Sequence, residues 1–211
     1  MLVRDWMTKK PVTTTPDTPV PNALKIMQGS KVRQLPVLDA KNRLVGIVSL
    51  ADLFRALPSP ASSLSRWEVE YLLDQVKVAE VMTTKVIAVT EDTAVEEAGR
   101  IMSEGKVSGV PVVRDDQLVG LITESHLFRI LLDVFGAHQA GVRVTAKMPL
   151  TKGGLAMIST AIAGIGGHFM AFAESMDTGE VTFKVQDVEK DALIAAIQPL
   201  VSEIVDVRTS S

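Results

Sequence analysis

The run Leu44-Val45-Gly46-Ile47-Val48-Ser49 decides the fold, because it returns as Leu118-Val119-Gly120-Leu121-Ile122-Thr123. A short apolar run ending on a hydroxyl residue reads as a buried strand that feeds the start of a helix. Upstream of both runs the repeat continues. Met7-Thr8 recurs as Met82-Thr83, Asp17-Thr18-Pro19-Val20 as Asp92-Thr93-Ala94-Val95, Ala23 and Met27 as Ala98 and Met102, and Leu35-Pro36-Val37 as Val110-Pro111-Val112. The spacing is constant and shortens by one residue only at the turn Ala40–Asn42.

Each copy reads as strand–helix–strand–strand–helix. Val12 to Thr15 and Val86 to Val89 are short extended segments. Thr18 is expected to cap the first helix, with Pro19 at its first position, where a missing N–H costs nothing. Thr93 and Glu96 form the matching capping box. Val20, Ala23, Leu24 and Met27 make one apolar helical stripe, and Met27 and Met102 read as core. Strands follow at Leu35–Leu38 and Leu44–Val48, then at Val110–Val113 and Leu118–Ile122, and second helices begin at Ser49 and Thr123. A unit of about 50 residues buries too little surface to stand alone comfortably. Two copies packed with pseudo-two-fold symmetry bury more, and they leave two equivalent clefts suited to ligands.

Residues 1–57 are therefore one repeat, 58–77 a linker, 78–138 the second repeat and 139–211 a further domain. The linker carries Pro58, Ser59, Pro60, Ser62 and Ser63, a loop by composition, followed by a helix from Trp67 to Val76.

Composition narrows the function. The net charge of −3 gives no basic footprint for nucleic acid. There are no cysteines, which fits a reducing compartment. Leu155 to Ile165 is shorter than the roughly 20 residues that span a bilayer, and Met-Leu-Val-Arg-Asp-Trp lacks the apolar core of a signal peptide. The expectation is a cytoplasmic protein with no membrane or nucleic-acid partner. His126, His138 and His168 lack metal-ligand spacing. No nucleophile is paired with a base, so an enzyme is not expected, nor a required cofactor.

The pattern Met-Thr, Asp-Thr-x-Val, Pro-Val and Gly-Ile-Val-Ser-x-x-Asp, present in two copies between Val3 and about Leu132, resembles the CBS domain. A tandem pair resembles a Bateman module, which implies binding of AMP, ADP, ATP or S-adenosylmethionine between the repeats. The resemblance implies a main site of Ser49 and Asp52 facing Thr83, Ile87, Ala88, Val107 and Ser108. Amides at the helix start would suit a phosphate, and the Asp52 carboxylate a ribose diol. Ser-x-x-Asp is equally a simple capping arrangement. The second site would join Thr123 and His126 to Thr8, Val12, Thr13, Val32 and Arg33. Here His126 replaces the aspartate and cannot offer two acceptor oxygens. Lys31 and Arg33 near it would favour phosphate, or simply be solvated.

From Val142 the order becomes strand–helix–strand–strand–helix–strand. Val142, Val144, Ala146 and Met148 alternate as a strand. The apolar helix Leu155–Gly164 follows, then strands His168–Met176 and Val181–Val185, a helix capped by Asp187, and a last strand Ile204–Val207. Pro199 should disturb the last turn of that helix. Over Gly141 to Arg208 this layout resembles an ACT domain, which implies side-by-side pairing into a homodimer. In some such families it also implies an amino acid held at the loop position of Lys152, Gly153 and Gly154. Gly164-Ile165-Gly166-Gly167 follows a helix and precedes a strand, so it is a helix stop and not a dinucleotide loop. The whole chain is expected to be α/β (α+β), two CBS βαββα repeats followed by an ACT-like βαββαβ domain. It resembles the bacterial acetoin utilization protein family. Its expected role is a regulatory sensor whose ligand alters packing or the binding of a protein partner. The alternatives are a ligand-free dimeric scaffold and an amino-acid sensor.

Overall fold

A computed structural model describes residues 1–57, 74–148, 153–175 and 177–210. Most of the linker, including most of the expected helix Trp67 to Val76, and Lys152 lie outside the described residues; Asp74 and Gln75 are helical and Val76 is not. The chain divides into two compact units, Met1–Leu127 and Phe128–Ser211.

In the first unit, the first repeat comprises α1 (Val3–Trp6), β1 (Thr8–Lys9), α2 (Val20–Ser30), β2 (Gln34–Leu38), β3 (Leu44–Ser49) and α3 (Leu50–Arg55). The second comprises α4 (Val78–Val81), α5 (Val95–Gly105), β4 (Gly109–Arg114), β5 (Gln117–Thr123) and the start of α6 (Glu124–Val134). The two copies pair β2 with β3 and β4 with β5 antiparallel, in the same register: Leu35 faces Val48, and Val110 faces Ile122. The apolar stripe read from the sequence is the core. Val20, Ala23 and Met27 pack on Leu35, Val37 and Val48, and all are buried.

The repeats exchange their leading segments. β1 of the first copy pairs with β5 of the second, Thr8 opposite Leu121. Thr83 of the second copy bridges Ile47 of the first. The same reciprocity holds further out, where Val95 N–H bonds the Met1 carbonyl and Val78 N–H bonds the Thr18 carbonyl. Each copy then returns to its own sheet, with Thr14 beside Val37 and Val89 beside Val112 in parallel bridges. Glycine makes the exchange possible. A Cβ on Gly120 would press on Met7 Sδ, and one on Gly46 would come within 2.5 Å of Met82 Sδ. The methionine of each copy thus lies on the glycine of the other, where any side chain would collide.

The one-residue difference between copies changes the turn. In the first, Asp39 accepts the Arg43 N–H at 2.9 Å and Arg43 Nε at 2.8 Å; these bonds, led by the backbone one, lower its pKa. In the second, Asp115 and Asp116 both take left-handed φ (48° and 62°), as a two-residue hairpin turn of matching twist requires.

The helix caps differ from expectation. α2 and α5 begin one residue later than read, with Pro19 and Ala94 at the N-caps and no side-chain cap. Thr18 Oγ1 instead accepts from the Thr15 N–H at 3.3 Å, and Thr93 Oγ1 from the Thr90 N–H at 3.1 Å. A hydroxyl that closes a local turn competes with capping, and here the turn wins in both copies.

In the second unit the order is β6 (Gly141–Lys147), α7 (Gly154–Gly164), β7 (His168–Glu174), β8 (Glu180–Gln186), α8 (Lys190–Ile197), a 3-10 turn (Gln198–Leu200) and β9 (Glu203–Ser210). This is βαββαβ, as expected. The four strands form one antiparallel sheet in the order β7-β8-β6-β9. Val144, Val185 and Phe183 pack against Ile158, Ile162, Leu193 and Ile197 of the helices. Pro199 falls in the 3-10 turn, which ends α8 where expected. Asp187 does not cap α8: it adopts φ 60° in the turn before it, and Glu189 is the N-cap. Gly153 has φ +90° at the N-cap of α7, a conformation that favours glycine.

Candidate ligand-binding clefts between the repeats

The exchange of leading segments sets the content of each cleft. Thr83, carried on the second repeat, hydrogen-bonds Ile47 through both its backbone N–H (2.9 Å) and its carbonyl (3.0 Å), two residues from Ser49. Gln34 faces Ser49 across β2 and β3, and its Nε2 donates to Ser108 Oγ at 2.7 Å. Thr83, Ser49 and Ser108 therefore share one rim. Val107 adjoins Ser108, and Ile87 lies beside it: the two side chains stand 3.6 and 2.9 Å from the same point, the place of a Cβ on Gly105. Ile87 is 43% exposed, an unusual state for isoleucine. Ala88 is exposed next to it, and no hydrogen bond among the described residues ties it to Asp52.

At that rim, Ser49 is the N-cap of α3 and Asp52 closes a full capping box. Asp52 Oδ2 accepts from Ser49 N–H at 2.9 Å and from Ser49 Oγ at 2.6 Å, while Asp52 N–H donates back to Ser49 Oγ at 3.2 Å. Among the described residues, Asp52 Oδ1 accepts only from Arg55 Nη1, at 3.1 Å, and Arg55 is 78% exposed. An exposed ion pair of this kind is worth little and is easily displaced. The first turn offers fewer open amides than expected, because Leu50 N–H already bonds the Arg33 carbonyl at 2.9 Å. The side-chain oxygen left outside the cap is Asp52 Oδ1, an acceptor.

The other cleft repeats the cap with different atoms. Thr123 N–H donates to His126 Nδ1 at 3.0 Å, and Thr123 Oγ1 stands 2.9 Å from the same nitrogen. His126 Nε2 lies 3.2 Å from Thr8 Oγ1, which β1 brings from the first repeat. A backbone N–H can only donate, so Nδ1 is the acceptor and the neutral ring carries its proton on Nε2. His126 thus takes the capping role of Asp52 Oδ2 and also ties the two repeats together. Val12 is 39% exposed, matching Ile87 in the other copy. Val32 is half-buried, Thr13 half-buried and Arg33 exposed. No described hydrogen bond joins the Val12, Thr13 or Val32 side chains to His126 or Thr123.

Two residues escaped the sequence reading. Arg55 pairs with Asp52 one helical turn away, a spacing that was legible. Gln34 sits where the other repeat has Gly109, and a Cβ on Gly109 would stand 2.5 Å from Gln34 Oε1 and 2.9 Å from Thr123 Cγ2. A lone polar residue opposite a glycine in an internal repeat was the available signal. Gln34 Oε1 and Thr14 Oγ1 are buried without a hydrogen-bond partner among the described residues.

Paired repeats that exchange their leading segments define a tandem-repeat module. The CBS domain family model matches residues 3–59 and 78–133, and the chain belongs to that family. Among solved structures it is similar to an acetoin utilization protein (AcuB) from Vibrio cholerae, at 30% identity and TM-score 0.54, covering 65% of this chain and 95% of that one. It is similar to the CBS domain pair of MJ0100 in complex with 5′-methylthioadenosine and S-adenosyl-L-methionine, at 29% identity and TM-score 0.53, covering 66% of this chain and 98% of that one. It is also similar to CBSX2 in complex with AMP, a protein of Arabidopsis thaliana, at 31% identity and TM-score 0.53, covering 62% and 96%. Where relatives are enzymes, only part of them is spanned: the chain covers 23% of the L-aspartate semialdehyde sulfurtransferase of Methanocaldococcus jannaschii. CBS pairs are mainly regulatory, and their relatives bind adenosine compounds. Among the described residues, no helix is long and apolar enough to cross a membrane.

Proposed function

We propose that this chain is a non-enzymatic sensor that binds one adenosine-type ligand at the cleft of Ser49 and Asp52. The observation that carries the reading is the half-committed carboxylate of Asp52. Its Oδ2 is spent on the cap, but among the described residues its Oδ1 meets only an exposed arginine. A ribose hydroxyl can replace that arginine without breaking the cap. Ile87, Ala88 and Val107 supply an apolar slot for adenine, and Thr83 and Ser108 supply hydroxyls. The ligands of MJ0100 and CBSX2 support the ligand class. AMP, ADP, ATP and S-adenosylmethionine are the candidates.

Because the ligand touches both repeats, it shifts their packing to the extent that it binds one arrangement better. The βαββαβ unit, read as ACT-like, would pair copies of the chain or pass that shift to a protein partner in the cytoplasm. Calorimetry with the four candidates tests the reading. It expects saturable binding by at least one, and no binding by a folded chain contradicts it. A ligand-free scaffold is the second reading, favoured by the completeness of the Ser49–Asp52 cap without any ligand. It predicts a melting temperature indifferent to every adenosine compound.

A further inference from the structure

The helix layer of the second unit has its core on one side and an uncharged surface on the other. Ile158 and Ile162 of α7, and Leu193 and Ile197 of α8, are buried against the sheet. From Gly153 to Gly167 the chain carries no charged residue. A surface helix ordinarily sets charged and polar residues on its outer face. α7 sets Ala156, Met157, Thr160, Ala163 and Gly164 there instead, all exposed, and Met157 is 52% exposed. Beside them runs a groove of about 510 Å³ between α7 and the end of α8. Ala156, Thr160 and Ala161 line it from one side, Ala196, Pro199 and Leu200 from the other, and Met157 lines it too.

We infer that this face is where two copies of the chain meet, α7 against α7 in antiparallel array. Two features select a second copy as the occupant. An interface on a two-fold axis uses one patch twice, so the patch must carry both a projection and the recess that takes it. Here Met157 is the projection, and the recess lies on the same helix. A Cβ on Gly164 would meet nothing within 4 Å. An axis at Thr160 sets Met157 of each copy over Ala161 and Gly164 of the other, at the groove, and Thr160 against its own counterpart. The second feature is charge. Any charge pressed on this face would be desolvated without a counter-charge, which is costly. The occupant must therefore present a face as free of charge as this one, and α7 is such a face.

Size sets the strength of the contact. α7 has 11 residues, so it is about 16 Å long at a rise of about 1.5 Å per residue. Two packed helices of about 10 Å diameter then give a face on the order of 300 Å² in projection. A stable interface takes about 800 Å² from each partner. The pairing is therefore reversible and concentration-dependent. The inference rests on the pairing of copies proposed above. It assigns that pairing to the helix layer, where side-by-side pairing of ACT-like units would use a sheet edge.

The chain has no cysteine, so one introduced thiol reports on one contact. Thr160→Cys in the full chain, under mild oxidation, should give a disulfide-linked dimer whose yield rises with protein concentration. On the axis, the two Cα atoms fall within the short span that a disulfide bridges. Arg143→Cys is the control: Arg143 is exposed, on the sheet face opposite the helices, since its neighbours Val142 and Val144 face the core. It should cross-link at least tenfold less. Adding Met157→Asp to Thr160→Cys should cut the dimer yield tenfold or more. Gly164→Lys should do the same, at a position where the single chain has open space. Both variants should keep the melting temperature within a few degrees, and either one that folds decides the outcome. The inference is overturned if Thr160→Cys stays monomeric, if it cross-links no better than Arg143→Cys, or if the folded variant leaves the yield unchanged. Sedimentation of the unaltered chain separates the two readings. A dimer whose Thr160→Cys variant does not cross-link overturns this surface and leaves pairing to another. A chain that is monomeric at millimolar concentration and does not cross-link removes both.

Discussion

The Asp52 cap and the His126 cap do the same structural work with opposite chemical surplus. Both receive the N–H of the residue that starts the helix, at 2.9 and 3.0 Å. A carboxylate has a second oxygen to spare after capping, whereas an imidazole that caps through Nδ1 has only a donor left. A duplicated fold thus keeps its architecture while one substitution changes what each cleft offers. Structural equivalence of repeats is no guide to equivalence of function, and the capping reading and the ligand reading of Ser-x-x-Asp are not exclusive. Oδ2 serves the cap, and Oδ1 is the oxygen the proposed ligand would use.

The comparison breaks most sharply at Asp52. Asp52→Ala should weaken the adenosine ligand by roughly 10- to 100-fold, from the loss of a hydrogen bond to a charged group worth about 1.5–3 kcal/mol. His126→Ala should leave that affinity within a fewfold; equal losses, read by calorimetry, would mean that the clefts are not distinct. Next in size is the pseudo-dyad. Gly109→Ala drives a Cβ toward Gln34 Oε1 and Thr123 Cγ2 and should cost about 1–3 kcal/mol by overpacking, a drop of several degrees in Tm. Adding Gln34→Ala should recover part of it, and an unchanged Tm in the single variant would remove Gln34 from the account. A smaller effect belongs to Thr8→Val. It removes the partner of His126 Nε2 and should destabilise by about 1 kcal/mol in urea titration. Thr83→Val, where no side-chain bond is formed among the described residues, should be close to neutral.

The sequence made the repeats, the strands β2 to β5 and the two caps legible because periodicity and internal duplication both spoke for them. The exchange of β1 escaped it. A two-residue strand has no period, and pairing across repeats is invisible to any local pattern. Its trace was nonetheless present in the matched Met7 and Gly120, Met82 and Gly46. The helix starts at Val20 and Val95 were misplaced by a residue because Thr18 and Thr93 satisfy turns before they satisfy helices. In the second unit the order of elements was legible, but Asp187 was not, since an aspartate that can cap can also take a left-handed turn. The site set was legible only through the family resemblance. Which of its members meet depends on the exchange, and the Gln34–Ser108 bond crosses the repeats, where no local pattern reaches.

A crystal structure of the chain with AMP tests the central claim most directly. The account predicts the adenosine moiety against Ile87 and Val107, with a ribose hydroxyl on Asp52 Oδ1 and the Arg55 side chain displaced. Adenosine seated at Thr123 and His126, with the Asp52–Arg55 pair intact, would contradict it.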